Sequence, residues 1–311
     1  MVHRVVLLAA LLPDPHTRIL SSHFSMVSVQ CAWKLSRPLW FRLPRLLRIG
    51  WIFAAVSLGP LQRRWPLAPD RIRALLLVRD LHSPLPALVE SLVQQGLLTD
   101  HILLLDSGST NPACLATLAA LEQSGCRWIR LSTQEQRFGP YVPWLSTRLR
   151  AQIRSWRYPY LVSDPDLALP ATIPSDWLTQ LLSMLNQHRS VLKVALPLSI
   201  SDISVPNSLA IKAHEEGLNH QPAYRLLSRC LLGKSSEATI CTTDTTLALY
   251  RPAQFFSTLS IRLPLRFAIK HLPWYSNFCA SPEYKYYQAH KFNLFGEWSS
   301  VKHAWPPDHV A

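Results

Sequence analysis

The sequence contains very little glycine, and the spacing of its few glycines excludes several nucleotide-binding and catalytic motifs. Nine glycines in 311 residues is about 3%, against a usual share of roughly 7%. They stand at positions 50, 59, 96, 108, 125, 139, 217, 233 and 296, so no two are closer than nine residues. The dinucleotide fingerprint, the P-loop and the hydrolase nucleophile elbow all need glycines closer together than this. A phosphate group bound by this chain must therefore be held by something other than a glycine-rich loop.

Paired cysteines and long apolar runs are also missing. The six cysteines, at positions 31, 114, 126, 230, 241 and 279, include no CxxC pair and none is followed by a histidine cluster. This pattern predicts reduced, mostly buried thiols rather than a metal centre or a disulfide framework. The apolar stretch from Ile49 to Gln62 is uncharged but shorter than the roughly 20 residues that a membrane-spanning helix needs.

Positive charge is in excess and is unevenly distributed. The chain has 32 Lys and Arg against 19 Asp and Glu, a net charge of +13, which predicts attraction to anions. Much of this excess lies in residues 1–70, a basic and apolar N-terminal extension that we expect to precede a catalytic domain over residues 71–300 and a tail over 301–311. Because only 16% of the residues are charged and eleven are tryptophan, a folded protein is expected.

The N-terminal extension has the composition of a membrane-surface segment. Its apolar stretch is flanked by arginines and tryptophans: Arg42, Arg45, Arg48, Arg63, Arg64, Trp40, Trp51 and Trp65. Such a helix is typical of an anionic membrane surface, and the same pattern fits a helix packed on the domain with its arginines facing water. The first twelve residues lack a signal-peptide cleavage site, and Met26 is an alternative start. We expect a cytoplasmic protein, peripheral on the inner face of the membrane.

From residue 71 onward, apolar runs of strand length alternate with helical patterns. We predict strands over 72–78, 101–105, 127–131 and 158–162, each a buried run in an α/β sheet. Helices are predicted from Ser83-Pro84 to Gly96, through 115–121, and after Ser175 as a cap. Two more strands are predicted over 191–200 and 242–250, whereas residues 201–240 give no clear pattern. The short links favour right-handed crossovers in an open, mostly parallel sheet.

Acidic residues follow two of these predicted strands. Asp106 ends one, and Asp164 and Asp166 follow another, on either side of a proline. Ligands of open α/β sheets bind at the carboxyl ends of the strands. Two carboxylates at this spacing suit Mg²⁺ or Mn²⁺, with phosphate oxygens and water as the remaining ligands. Asp-Pro-Asp is equally typical of a simple turn.

Three segments in this order resemble the nucleotide-sugar half of family-two-like glycosyltransferases, which have the Rossmann-like GT-A fold. They are VRDLHSPLPALVESLVQQG, ILLLDSGSTNPACLATL and YPYLVSDPDLAL, within residues 71–200, with weaker echoes at 243–250, 271–275 and 281–284. The resemblance implies metal-dependent, inverting transfer of a hexosyl or related group. The implied donor is a UDP- or GDP-linked sugar, the acceptor a hydroxyl of a glycan or lipid-linked molecule, and the process cell-surface polysaccharide synthesis.

The resemblance also implies roles for individual residues on the donor side. Asp164 and Asp166 match the DxD motif and would bind Mn²⁺ or Mg²⁺, which stabilises the charge that develops on a diphosphate leaving group. The implied nucleotide and diphosphate contacts are Val78, Arg79, Asp106, Ser107, Arg137 and Asp164.

On the acceptor side, inverting transfer needs a base for the acceptor hydroxyl. Glu283, in the first turn of a helix opened by Ser281-Pro282, matches the position of the family's base, and Asp244 is a second candidate. A first-turn glutamate is also common simply because it complements the helix dipole. His271 is expected on the acceptor or phosphate side. The family's usual Glu-Asp pair is absent here, since Tyr284 follows Glu283.

Two other kinds of function fit parts of the sequence. A different metal-dependent nucleotide enzyme, such as a nucleotidyltransferase, would share the acidic strand ends, but it normally has an early glycine- and lysine-rich phosphate loop. A non-catalytic, basic membrane-binding protein would explain the charge. Nucleic acid is not an expected partner, because no basic-aromatic recognition motif is present.

Overall fold

The structure, a computed structural model, describes residues 64–189, 191–233, 235–243, 246–252 and 259–290. Within them the strands are β1 Arg73–Val78, β2 Ile102–Asp106, β3 Arg127–Arg130, β4 Tyr160–Ser163, β5 Leu167–Ala168, β6 Lys193–Ala195, β7 Thr239–Thr242, β8 Ala248–Tyr250, β9 Leu259–Arg262 and β10 Lys270–His271. The helices are α1 Leu85–Gln94, α2 Pro112–Gln123, α3 Thr133–Gln136, α4 Val142–Leu145, α5 Thr147–Trp156, α6 Trp177–Gln187, α7 Ser208–His220, α8 Pro222–Leu231, α9 Ser276–Cys279 and α10 Pro282–His290.

Eight of the described strands form one sheet in the order β3-β2-β1-β4-β8-β6-β9-β7. The strands β3, β2, β1 and β4 are all parallel. In the other half, β8 runs antiparallel to β4 and β6, β9 is parallel to β6, and β7 is antiparallel to β9. The predicted class, an open and mainly parallel α/β sheet, is confirmed, and it is consistent with a Rossmann-like GT-A fold.

Both faces of β1, β2 and β4 are buried, as the continuous apolar runs predict. Leu75 and Leu77 of β1 point to the same side because strand side chains alternate. They join a core cluster that includes Leu149 and Ile153 of α5 and Trp144 of α4. Helix α6 packs against β6 and β8, and α2 packs against β3. Burial on both faces is what a parallel sheet with crossover helices requires.

Several predicted boundaries were wrong. The strand expected over 191–200 is only β6, because Pro197 cannot donate a ladder hydrogen bond. The strand expected over 242–250 is not continuous: it contains the last residue of β7, which pairs with β9, and all of β8, which pairs with β4 and β6. Residues 201–240, for which the sequence gives no clear secondary-structure pattern, contain α7 and α8. Asp176, rather than Ser175, is at the N-cap of α6, and it makes no side-chain capping bond.

The cysteines within the described residues are free thiols. Four are buried, namely Cys114, Cys126, Cys241 and Cys279, and Cys230 is exposed, so reduced and mostly buried thiols are confirmed for this part of the chain. No helix in the described ranges is long and apolar enough to cross a membrane. Most of the N-terminal extension and all of the tail 301–311 lie outside the described residues.

The antiparallel half of the sheet contains a buried ion pair. Arg262 of β9 donates from Nη1 to Oε2 of Glu215 on α7 at 2.8 Å, and both side chains are less than a tenth exposed. Arg262 also donates from Nη2 to the carbonyl oxygen of Thr242 at 3.1 Å. The guanidinium therefore connects α7 to β9 and to the end of β7.

The change Arg262→Met should lower the free energy of unfolding by about 3–5 kcal/mol, because it leaves Glu215 buried without its counter-ion. Urea denaturation measures this. The double variant Arg262→Met/Glu215→Leu is the control, and it should recover most of the loss because no uncompensated charge remains buried. A single variant within about 1 kcal/mol of the wild type would contradict this account of the pair.

Candidate active site

The parallel pairing of β1, β2 and β4 brings three acidic segments to one edge of the sheet. Val78, the last residue of β1, is level with Asp106, the last residue of β2. Leu76 of β1 is level with Ser163, the last residue of β4, after which the chain turns through 164–166. Strands in register end at the same edge, so the loops after β1, β2 and β4 are neighbours there.

Asp106 shapes the loop that follows β2. Its Oδ1 accepts hydrogen bonds from the backbone N–H groups of Gly108 at 3.1 Å and Ser109 at 2.7 Å. Its Oδ2 accepts one longer bond, from Nε1 of Trp128 at 3.3 Å. The side chain is 3% exposed. The carboxylate therefore folds its own loop with one oxygen, while the other retains capacity to accept a further hydrogen bond.

Asp80, which sequence reasoning missed, supports the same loop from β1. Its Oδ1 accepts from the N–H groups of Thr110 at 2.6 Å and Asn111 at 2.7 Å, and its own N–H donates to Oγ of Ser109 at 3.0 Å. Asp80 is fully buried with φ of 54°, a left-handed conformation that aspartate tolerates better than most residues. An acid directly beyond a buried strand was the available signal.

The predicted nucleotide-binding residues at the end of β1 lie together. The carbonyl oxygen of Val78 accepts from the N–H of Ser107 at 2.9 Å. Arg79 donates from Nη1 to the carbonyl oxygen of Ser107 at 3.0 Å and from Nη2 to that of His290 at 3.0 Å. Burial lowers the pKa of Arg79, and the charge of Asp80 offsets part of this effect. The arginine thus ties the β1 end, the β2 loop and the end of α10 together.

Asp166 presents an unsatisfied carboxylate oxygen. The residue is 9% exposed, and its buried Oδ1 has no hydrogen-bond partner among the described residues. Its Oδ2 lies 3.5 Å from Nε2 of His271. The pairing of β10 with β5 sets His271 opposite Leu167, and Leu272 donates its N–H to the carbonyl oxygen of Asp166 at 2.9 Å. A buried carboxylate oxygen without a donor suits a bound cation.

A metal ion at this turn would depend on ligands from outside the protein. Within the described ranges no group of three or more His, Cys, Asp and Glu side chains is arranged to hold a metal. Asp164 is half-buried and Asp166 buried, and the two flank Pro165. Two carboxylates completed by phosphate oxygens and water form a donor set that fits Mg²⁺ or Mn²⁺.

Glu283 lies in the first turn of α10, as predicted, and contacts the loop after β1. Its Oε1 accepts from the N–H of His82 and from that of Ser83, the latter at 2.9 Å. Nδ1 of His82 lies 3.0 Å from the same oxygen. His82 was not identified from the sequence, where a lone histidine near a helix start has no distinguishing context. The contact brings the candidate base to the carboxyl edge of the sheet.

The helix that carries Glu283 also carries two tyrosines whose pKa values are affected by the Asp-Pro-Asp turn. Burial raises the pKa of Tyr287, and the negative charges of Asp166 and Asp164 raise it further. Burial likewise raises the pKa of Tyr284, with a smaller contribution from Asp166. Tyr287 is therefore a further residue near this edge that sequence reasoning missed.

The remaining predicted residues are less closely tied to the edge. Arg137 is exposed at the end of α3. Its neighbour Gln136 lies against Gly108, where φ is 84° and an added Cβ would fall 2.7 Å from Oε1 of Gln136. The atoms closest to a Cβ at Gly108, the one glycine in the DSGST segment, therefore belong to the side chain of Gln136. Asp244 lies outside the described residues. Trp274 is 1% exposed and packs edge-on against His271 at 5.0 Å.

A groove of about 630 Å³ leads away from this edge between α1 and the segment that follows Asp166. Its walls include Ser83, Ala87, Ser91, Leu167, Ile173 and Leu272. Ser83 contacts Glu283, and Leu167 follows Asp166 in the chain, so the groove begins at the candidate site. Among the described lining residues Glu90 is charged, and none is a lysine or arginine.

Comparison with known proteins gives structural neighbours only. No protein-family model matches the chain, and no curated protein matches it. A mannosyltransferase, PcManGT from Pyrobaculum calidifontis in complex with GDP-Man and Mn²⁺, is similar at a TM-score of 0.38 and 13% identity, covering 83% of this chain and 80% of that one. Glucosyl-3-phosphoglycerate synthase from Mycobacterium tuberculosis, with Mn²⁺, UDP-glucose and glycerol 3-phosphate, gives 0.32 and 19%, covering 62% and 64%.

A further neighbour, described as a mycobacterial protein, gives a TM-score of 0.33 at 20% identity and covers 60% of this chain. The chain spans 58% of the length of that protein and 64% of the synthase complex. Two of these three neighbours are therefore glycosyltransferases with a sugar nucleotide and Mn²⁺ bound.

Glu135 supports the segment that carries Arg137, and its ionisation should set part of the acid stability. Burial alone would raise its pKa, but hydrogen bonds from Arg148, Ser146 and Ser132 lower it from 4.5 to about 2. Because the folded-state pKa is depressed, the stabilisation is present above about pH 4.5 and is lost as the pH falls toward 2.

Glu135→Gln should therefore lower Tm by roughly 2–4 °C at pH 7, since solvent around the half-exposed Arg148 keeps the contribution near 1 kcal/mol. The difference from the wild type should shrink at pH 3. Thermal melts at both pH values measure it, with exposed Glu122→Gln as the matched control. A difference that is equal at both pH values would argue against an ionised Glu135 in this role.

Proposed function

We propose that this chain is a metal-dependent glycosyltransferase that moves a sugar from a nucleotide-sugar donor to an acceptor hydroxyl. One observation carries the proposal: Asp166 has a buried carboxylate oxygen without a hydrogen-bond donor among the described residues, at the carboxyl edge where Glu283 and His271 also lie. A diphosphate-bound cation would satisfy that oxygen, and the glutamate at the same edge of the sheet can take a proton.

The nucleoside of a UDP- or GDP-linked donor would lie at the ends of β1 and β2. Val78, Arg79 and Ser107 line this place, and Oδ2 of Asp106 accepts only a long bond at 3.3 Å from Trp128. That oxygen is suited to accept from a base N–H or a ribose hydroxyl, as a carboxylate acceptor does. Because Asp80 and Asp106 already fix the loop, it needs little ordering when the donor binds.

Asp164 and Asp166 would hold Mn²⁺ or Mg²⁺, which supplies positive charge to the diphosphate as the glycosidic bond breaks. His271 is assigned to the phosphate side, because its Nε2 is 3.5 Å from Oδ2 of Asp166. Exposed Arg137 is assigned to the outer diphosphate oxygens. Side chains thus do what a glycine-rich loop does in other nucleotide-binding proteins.

Glu283 is assigned as the base in an inverting transfer. Its Oε1 accepts from two backbone N–H groups and lies 3.0 Å from Nδ1 of His82, so Oε2 is the oxygen assigned to take the acceptor proton. The donors on Oε1 keep the carboxylate in one position, which general-base catalysis requires. Asp244 is the second assignment for the base.

The groove beside α1 is assigned to the acceptor. It begins at Ser83, next to Glu283, and its walls combine aliphatic side chains with serine hydroxyls and glutamine amides. Glycans offer both apolar and hydroxyl surfaces, so such walls suit a glycan or the sugar of a lipid-linked acceptor. With no lysine or arginine among the described lining residues, a phosphate inside this groove is disfavoured.

Asp166→Ala should abolish the Mn²⁺-dependent part of UDP or GDP binding, a loss of at least about tenfold in affinity. Isothermal titration of each nucleotide with and without Mn²⁺ measures it. Asp176→Ala, which removes an exposed aspartate at the N-cap of α6, is the matched control and should bind like the wild type. A nucleotide affinity that is the same with and without Mn²⁺, and the same in Asp166→Ala as in the wild type, would refute the metal-dependent mechanism.

Glu283→Gln should lower kcat by about 10²–10⁴-fold, because the amide cannot take a proton, while nucleotide affinity stays unchanged. Slow hydrolysis of the donor, in which water replaces the acceptor, provides the rate without knowledge of the acceptor. Glu216→Gln, an exposed glutamate on α7, is the control. Normal turnover in Glu283→Gln would remove this residue from the mechanism.

A further inference from the structure

A second pocket, of about 340 Å³, lies at the opposite edge of the sheet. Its lining is basic and aromatic: Arg71, Arg73, His101, Trp156, Arg157 and Tyr158. These residues stand at the amino ends of β1, β2 and β4. At about 3.3 Å per residue, β1 separates this pocket from the Asp106 edge by roughly 20 Å, so a ligand here is distinct from the donor diphosphate.

The pocket gathers three arginines, and two acids, Asp70 and Asp100, lie close enough to affect the pKa values of its lining residues. Arg71 and Arg157 are exposed and Arg73 is half-buried. No ion pair within 4.0 Å joins any of the three to a carboxylate in the described ranges. Burial lowers the pKa of Arg73, Asp100 offsets part of this, and the like charge of Arg127 lowers it further. Arginines whose positive charges lie close together are stabilised by an anion that neutralises them jointly.

The side chain of Arg73 and the backbone around the pocket are held in place by described contacts. The guanidinium of Arg73 lies 5.4 Å from the ring centre of Trp156, a cation–π distance. Arg157 has φ of 54°, and its carbonyl oxygen accepts from Nε1 of Trp65 at 3.2 Å. Tyr158 donates its hydroxyl to the carbonyl oxygen of Pro66. The backbone around the pocket is thus tied to the segment that precedes β1.

The nearby helix end explains only part of this charge. Helix α5 ends at Trp156, and its C-terminal dipole is equivalent to roughly half a negative charge. That partial charge favours one arginine, whereas three arginines line the pocket. Planar guanidinium groups bind phosphate oxygens in pairs of parallel hydrogen bonds.

We propose that this pocket binds a phosphate ester group, supplied either by an anionic lipid headgroup or by a soluble phosphorylated molecule. Arg71 and Arg157 bind the phosphate from the open side, and Arg73 does so from the aromatic wall. The proposal does not depend on the glycosyltransferase assignment, because the pocket and the candidate site lie at opposite edges of the sheet.

Titration of the full chain with glycerol 3-phosphate, in the presence of EDTA so that no divalent ion contributes at the other edge, tests the site. The double variant Arg71→Gln/Arg157→Asn should weaken binding by roughly tenfold for each arginine removed. Both residues are exposed and asparagine tolerates the conformation of Arg157, so the fold should persist, and an unchanged Tm verifies this. Arg225→Gln/Arg229→Gln removes equal charge from exposed positions on α8 and should keep wild-type affinity.

Co-sedimentation with phosphatidylcholine vesicles containing phosphatidic acid separates the two sources. Loss of both vesicle and glycerol 3-phosphate binding in the pocket variant alone supports the site with a lipid headgroup as its ligand. Loss of glycerol 3-phosphate binding with vesicle binding unchanged supports a soluble ligand. Equal glycerol 3-phosphate affinity in the pocket variant and the α8 variant overturns the proposal, as does the absence of any binding by the wild type.

Discussion

The candidate site depends on one constraint, the in-register parallel pairing of β1 with β2 and β4. Backbone hydrogen bonds between these strands fix where each one ends, and the side chains that follow inherit those positions. Asp106 is level with Val78, and the Asp-Pro-Asp turn begins just beyond Ser163. A shift of the strand register by one residue would turn every side chain to the other face of the sheet. Burial of the apolar side chains therefore fixes the register, and the register fixes the positions of the acidic residues.

The aspartates at this edge of the sheet have two different roles. Asp80 and one oxygen of Asp106 accept backbone N–H groups and shape the loop. Asp80 and Asp166 each also retain a buried oxygen without a hydrogen-bond partner among the described residues, but the second oxygen of Asp166 faces an imidazole rather than backbone N–H groups. Neighbouring carboxylates whose surroundings differ in this way commonly take different roles in one site. Here the difference arises from the number of backbone N–H groups that each loop offers.

Local patterns were sufficient to predict the parallel half of the sheet. The strands β1, β2 and β4 are continuous apolar runs, and Asp106, Asp164 and Asp166 follow them directly, so both the strands and the acidic ends were readable. The first-turn position of Glu283 was readable from Ser281-Pro282. In each case the signal lies within about ten residues of the feature, which is the range over which periodicity and capping act.

The rest could not be predicted, because it depends on contacts between distant segments. The meeting of His271 with Asp166 comes from the two-residue strands β5 and β10, which are too short for any periodicity. The antiparallel insertion of β8 between β4 and β6 is set by tertiary packing. The roles of Asp80 and His82 arise from loop conformation and from a helix about 200 positions away in the chain.

The bond between Glu283 and Ser83 spans a sequence separation of 200 residues, and this has a consequence for how the protein is made. Chains emerge from the ribosome amino end first, and contacts between distant segments form late because loop closure must precede them. The strands that carry the aspartates can pair long before α10 has been synthesised. The contacts that Glu283 makes at this edge are therefore absent from a nascent chain until α10 has been synthesised.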